Sequence, residues 1–125
     1  MVPWPPRIGD PLPRASEAFG VRRKLTTYCL NAANEFGAAK ARGFALILEI
    51  TIDDADYLEA AILSAITVAP ITAIRDCAPH GVNCVVEVPV RGLDRKSTRL
   101  VNIRTVWRIG APGDRPRLTT AFPRP

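Results

Sequence analysis

Gly81-Val82-Asn83-Cys84-Val85-Val86-Glu87-Val88-Pro89-Val90-Arg91 is the stretch whose periodicity decides the fold. Val82, Cys84, Val86, Val88 and Val90 take every second position, with Asn83, Val85 and Glu87 between them. A helix would scatter these side chains around its axis, whereas a strand gathers them on one face. Valine also suits a pleated, half-buried surface because its β-branch is already restricted at χ1. The alternation therefore predicts a strand with one apolar face.

Downstream, Arg91-Gly92-Leu93-Asp94 reads as a turn, and Thr98 to Ile109 as the longest strand. Val101, Ile103, Trp107 and Ile109 form its apolar face, with Thr105 inward beside Trp107; Leu100, Asn102, Arg104, Val106 and Arg108 face the other way. Gly110-Ala111-Pro112-Gly113-Asp114 is a second turn. The last strand, Arg117 to Phe122, is expected to place Leu118, Thr120 and Phe122 inward and Arg117 and Thr119 outward. Ile71 to Asp76, just after Pro70, is a short first strand.

Upstream of Pro70 the period is helical. Val21, Leu25, Tyr28 and Cys29 share a stripe in a first helix, which Asn31 to Asn34 interrupts. Ala38 to Leu48 follows Gly37 and turns Ala41, Phe44, Ala45 and Leu48 inward. A third helix runs from Asp54 to Val68, opened by Thr51-x-x-Asp54 as a capping signal. It should bury Tyr57, Leu58, Ala61, Ile62, Ala65 and Ile66. The expected architecture is α+β: three N-terminal helices packed on one face of a four-stranded antiparallel sheet. Residues 1–19, with five prolines, read as a Pro-rich lead-in or linker, and residues 20–125 as a single domain.

The basic charge is concentrated at one end. From Arg91 to Pro125 there are nine Lys/Arg against two acids, whereas the preceding ninety residues carry eight basic and ten acidic side chains. The net +5 thus belongs to the strand-rich third, and a basic folded surface attracts polyanions, of which nucleic acid is the commonest. A merely solvated arginine-rich surface is the other reading. No apolar run is long enough to span a membrane. No signal peptide is evident at Met1-Val2-Pro3-Trp4-Pro5-Pro6, which points to the cytoplasm, or to delivery into the cytoplasm of a target cell. Cys77-x-x-His80-x-x-x-Cys84 crowds three soft ligands, but Cys84 lies in the valine strand, so no metal or other cofactor is expected.

Three segments carry a resemblance. They are Lys24-Leu25-x-x-Tyr28-x-Leu30-Asn31 followed by Gly37-x-x-Lys40-Ala41-Arg42-x-Phe44, then Val101-x-x-Arg104-Thr105-x-Trp107-x-Ile109, then Pro116-Arg117-Leu118-x-Thr120-x-Phe122-Pro123. Together they resemble a bacterial domain family of unknown function, found as short proteins and at the ends of large secreted ones. That family in turn resembles the barnase/EndoU/colicin/RelE-type superfamily of small ribonuclease toxins. The chain departs from the pattern at Glu35-Phe36, where a His is often found, and near Glu49, where a glycine is usual. The resemblance implies a toxin-type RNA-cleaving domain, paired with an acidic immunity or antitoxin protein.

Metal-independent RNA cleavage needs a base for the 2′-OH, an acid for the leaving oxygen and cations for the phosphorane. Alternation puts Glu87, Arg104, Arg108, Arg117 and Thr119 on the open face. Glu87 is the candidate base, Arg104 and Arg117 phosphate clamps, Arg108 a further RNA contact, and Thr119 an orienting hydroxyl. Lys40 contributes only if its helix starts near the sheet edge. His80, the one histidine, lies in an Ala-Pro-His-Gly loop whose placement the sequence leaves open. Each has a structural alternative: Glu87 opposite Arg104 as a cross-strand ion pair, Lys40 as an exposed helical lysine, His80 as a spare loop group. A non-catalytic RNA- or protein-binding module on the same face is the competing reading.

Overall fold

The computed structural model describes residues 4–96 and 99–125. Among these the chain forms helices α1 (Val21–Lys24), α2 (Ala38–Leu48) and α3 (Ala55–Ala65), then strands β1 (Ile71–Asp76), β2 (Val82–Arg91), β3 (Leu100–Ile109) and β4 (Arg117–Arg124). The strands pair antiparallel in sequential order, β1-β2-β3-β4. The architecture is the α+β one that the change of period indicates. No helix among the described residues is long and apolar enough to cross a membrane.

One side of the sheet makes the core. Cys84, Val86, Val88 and Val90 of β2 join Val101, Ile103, Trp107 and Ile109 of β3, and all are buried. Leu25, Phe44, Leu48, Leu58, Ile62 and Ile66 cover them from the helices in one apolar cluster. The buried polar member, Thr105, is fully satisfied. Its Oγ1 donates to the Val86 carbonyl at 2.6 Å and accepts from the Trp107 indole N–H at 2.8 Å, so the largest core side chain leaves no orphan donor.

Several local expectations are corrected. The first helix is a single α turn that widens into a π turn, Leu25–Cys29, closed by Leu30 N donating to Leu25 O at 2.9 Å. Tyr57 of α3 is 38% exposed rather than buried, because its hydroxyl donates to the Arg91 carbonyl at 2.6 Å. β2 and β3 are equally long, ten residues each, and the expected start at Thr98 lies outside the described residues.

β4 differs most in its facing. Trp107 pairs with Leu118 but Val106 with Thr120, so Thr119 is the extra residue of a bulge. The pleat slips by one beyond it. Ala121 rather than Phe122 turns into the core, and Phe122 registers with outward Arg104; Thr120 pairs with Val106, but its Oγ1 stays buried beside Cys29.

The proline-rich segment packs onto the domain. Gly9 N donates to Ile71 O and Ile71 N to Asp10 O, both at 2.8 Å, and Leu12 and Ala15 are buried. Thr51 and Asp54 form the anticipated capping box. Glu49, where glycine is usual in the resembled family, takes φ +56° at the end of α2, a left-handed cap conformation that glycine adopts without steric cost.

Candidate nucleic-acid interface

The outward face is built by alternation and register. Directly opposed residues in an antiparallel sheet share a face, so Arg75, Asn83, Arg108 and Arg117 form one cross-strand row over all four strands. Glu87, Arg104 and Phe122 form a second row, nearer the middle of β3. Arg104 and Arg108 are four residues apart, about 13 Å along a strand. The expected site residues therefore fall into two groups.

The middle group centres on Arg104. Its side chain is 31% exposed, and Nη2 lies 3.9 Å from Glu87 Oε2, an ion pair just beyond hydrogen-bond reach. Arg104 Nε is buried and has no hydrogen-bond partner among the described residues. A guanidinium held in mid-sheet with donors to spare is costly as structure alone, and it is well suited to gripping an oxyanion placed over the face.

Lys40 joins this group from the side. α2 lies along the edge strand β4, and Lys40 Nζ sits 5.5 Å from the Phe122 ring centroid, with Phe122 directly across from Arg104. Lys40 Nζ also donates to the Tyr28 hydroxyl at 3.1 Å, and the Lys40 and Lys24 ammonium groups lie 5.1 and 5.6 Å from the Tyr28 ring centroid. Lys40, in the first turn of α2, thus lies beside the edge strand β4.

The spacing Gly37-x-x-Lys40 has a physical reason. A Cβ at Gly37 would collide with the Tyr28 carbonyl oxygen and crowd its ring at 3.2 Å. Glycine lets the start of α2 press against Tyr28, and three residues later Lys40 emerges on the same side of the helix. Tyr28 does not join the core with the rest of its stripe; it is half-buried at the rim, with its hydroxyl in reach of a lysine. Within a single helical stripe its hydroxyl gave no signal.

The second group lies at the end of the face. Arg108 Nε donates to Asn83 Oδ1 at 2.6 Å, and its Nη1 to the His80 carbonyl at 3.5 Å. His80 thus stands beside Arg108 and Arg117, with Arg115, and away from Arg104 and Glu87. Thr119 spends its proton on its own sheet, donating to Val106 O at 3.0 Å, so its hydroxyl can only accept. Arg75 of β1 completes the row. The sequence could locate it only once β1 was registered against β2.

The thiols do not gather with His80. Cys84 points into the core, Cys29 is buried against Thr120 and Ala121 of β4, and Cys77 is half-buried with its thiol donating weakly to Arg75 O at 3.7 Å. Burial pushes the Cys84 thiol up to about 11 and raises that of Cys29 as well, so both are inert thiols in the folded chain.

The model of one domain family, described as Domain of unknown function (DUF6883), matches residues 11–125, and the chain belongs to that family. No curated protein and no solved structure matches it.

Proposed function

We propose that this DUF6883 domain binds RNA across the outward face of its sheet and cleaves it at Arg104, as a toxin-type ribonuclease. The observation that carries the reading is Arg104 itself: a half-buried guanidinium beside Glu87, whose Nε has no partner among the described residues, with the Lys40–Tyr28 pair next to Phe122 on the adjoining strand. The resemblance to small ribonuclease toxins, with helices preceding a sheet that carries the site, supports it by analogy only.

In this reading the Glu87 carboxylate takes the proton of a ribose 2′-OH. The 2′ oxygen attacks phosphorus, forming a 2′,3′-cyclic phosphate as the bond to the 5′ oxygen breaks. That oxygen takes the proton of the Tyr28 hydroxyl, and Lys40 stabilises the phenolate left behind. Arg104 holds the non-bridging oxygens as charge grows on them. Proton return from Glu87 to Tyr28 through solvent resets the site. Arg108 and Arg117 bind neighbouring phosphates. An acidic inhibitor protein would find its complement on the same face, and the RNA would be met in the cytoplasm of the producing or a target cell.

The test is incubation of purified wild-type protein with RNA in EDTA, followed by analysis of the new ends. Fragments ending in 2′,3′-cyclic phosphate are expected. RNA that is bound but left intact would make the domain a binding module instead.

A further inference from the structure

A cavity of about 490 Å³ opens at the end of the basic face, lined by Phe19, His80, Arg108, Gly110, Asp114, Arg115 and Arg117. Three cations face one carboxylate there, and one wall is aromatic. The Arg115 guanidinium lies 4.5 Å from the Phe19 ring centroid, in stacking range.

The walls are held by backbone rather than by chance side-chain contact. Phe19 N donates to Pro116 O at 3.0 Å and Leu118 N to Phe19 O at 3.2 Å, so Phe19 is bridged to Arg117 of β4. Next to it, Gly20 at φ +76° leaves room for the Arg117 stem, whose Cγ would lie 3.3 Å from a Cβ there. Arg108 is aimed by Asn83. The Asp114 carboxylate lies close over Gly110, 3.3 Å from where a Cβ would stand.

We propose that this cavity is a subsite for one nucleotide of a single strand: its phosphate on Arg108 and Arg117, its base stacked on the Phe19–Arg115 platform. Resting on the reading of the face as RNA-binding, it adds the recognition of a base. Arginine planes and aromatic rings stack bases of every kind, whereas a carboxylate accepts hydrogen bonds from an exocyclic amino group. Asp114 therefore favours adenine, cytosine and guanine over uracil. About 13 Å separates Arg108 from Arg104 along β3, so the nucleotide in the cavity is not the cleaved one, and the subsite sets sequence preference rather than chemistry.

The experiment is an NMR titration of the full chain with ribose 5-phosphate and, separately, with AMP, CMP, GMP and UMP. Nucleotides with an amino group should bind about tenfold tighter than ribose 5-phosphate, the lower end of what base stacking contributes. Phe19→Leu keeps the apolar volume and the backbone bridge, and should reduce nucleotide affinity to that of ribose 5-phosphate while leaving the latter unchanged. AMP, CMP and GMP that bind no tighter than ribose 5-phosphate, or that ignore Phe19→Leu, would overturn the subsite. A chain that binds nucleotides in this way yet never cleaves RNA would retain the subsite and overturn only the catalytic reading.

Discussion

Lys40 Nζ lies 3.1 Å from the Tyr28 hydroxyl, and Gly37 is the residue that lets them meet. The contact joins the first helical segment to the second and places an ammonium–phenol pair at the rim of the sheet, with the ammonium beside Phe122, the residue that pairs with Arg104. The pairing is the local device on which the proposed proton transfer depends.

Gly37→Ala should therefore do more than an ordinary helix-start substitution. Its Cβ would strike the Tyr28 backbone, so α2 must shift. Overpacking of this kind costs roughly 1–3 kcal/mol. Chemical unfolding and the cleavage assay check it together: stability and activity should both fall, while Lys40→Met should lower activity with a much smaller effect on stability.

Thr105→Val should destabilise despite being nearly isosteric. It removes the donor to Val86 O and strips the Trp107 indole of its acceptor inside the core. An unsatisfied buried donor costs about 1–3 kcal/mol. Urea denaturation should show a lower midpoint with an unchanged slope.

Stability should decline at alkaline pH through the buried thiols. Burial raises Cys84 from an ordinary value of 9.0 to about 11, and Cys29 moves in the same direction. The folded chain keeps these protons where the unfolded chain releases them. The Cys84 contribution is fully present below pH 9 and is lost as pH rises towards 11, by about 1.4 kcal/mol per pH unit, and Cys29 acts in the same direction. Unfolding free energies at pH 8 and pH 10.5 should differ less in Cys84→Ala than in wild type; an equal difference would contradict the assignment.

RNA affinity should fall with salt. If Arg104, Arg108 and Arg117 each neutralise one phosphate of a single strand, log affinity plotted against log salt has a slope of roughly −2. Arg117→Ala should make it shallower by about 0.7. Salt-independent binding would contradict an interface built on phosphates.

Most of the sheet was legible because its signal is local. The alternation at Val82–Val90 set β2, and its continuation in Val101–Ile109 set β3 and the outward Arg104 and Arg108. The errors arose where one extra residue changes the phase. The bulge at Thr119 reversed Phe122, and the π turn displaced Tyr28 from the expected stripe. Neither has a strong sequence mark. What periodicity never reports is which loops and helix ends meet. The placement of Lys40 over Tyr28, of Phe19 beside Arg117, and of His80 against Arg108 depended on tertiary packing.

The most direct measurement compares Arg104→Ala with His80→Ala, each assayed for RNA cleavage and for melting temperature. His80 stands with Arg108 at the far end of the face, whereas Arg104 is beside Glu87. Removing a cation that stabilises a transition state costs ~3 kcal/mol, a hundredfold or more in rate; losing a partly exposed ion pair costs only ~1 kcal/mol of stability. The account predicts that Arg104→Ala abolishes cleavage with little change in melting, and that His80→Ala cleaves at close to the wild-type rate. Cleavage that survives Arg104→Ala and disappears in His80→Ala would contradict it.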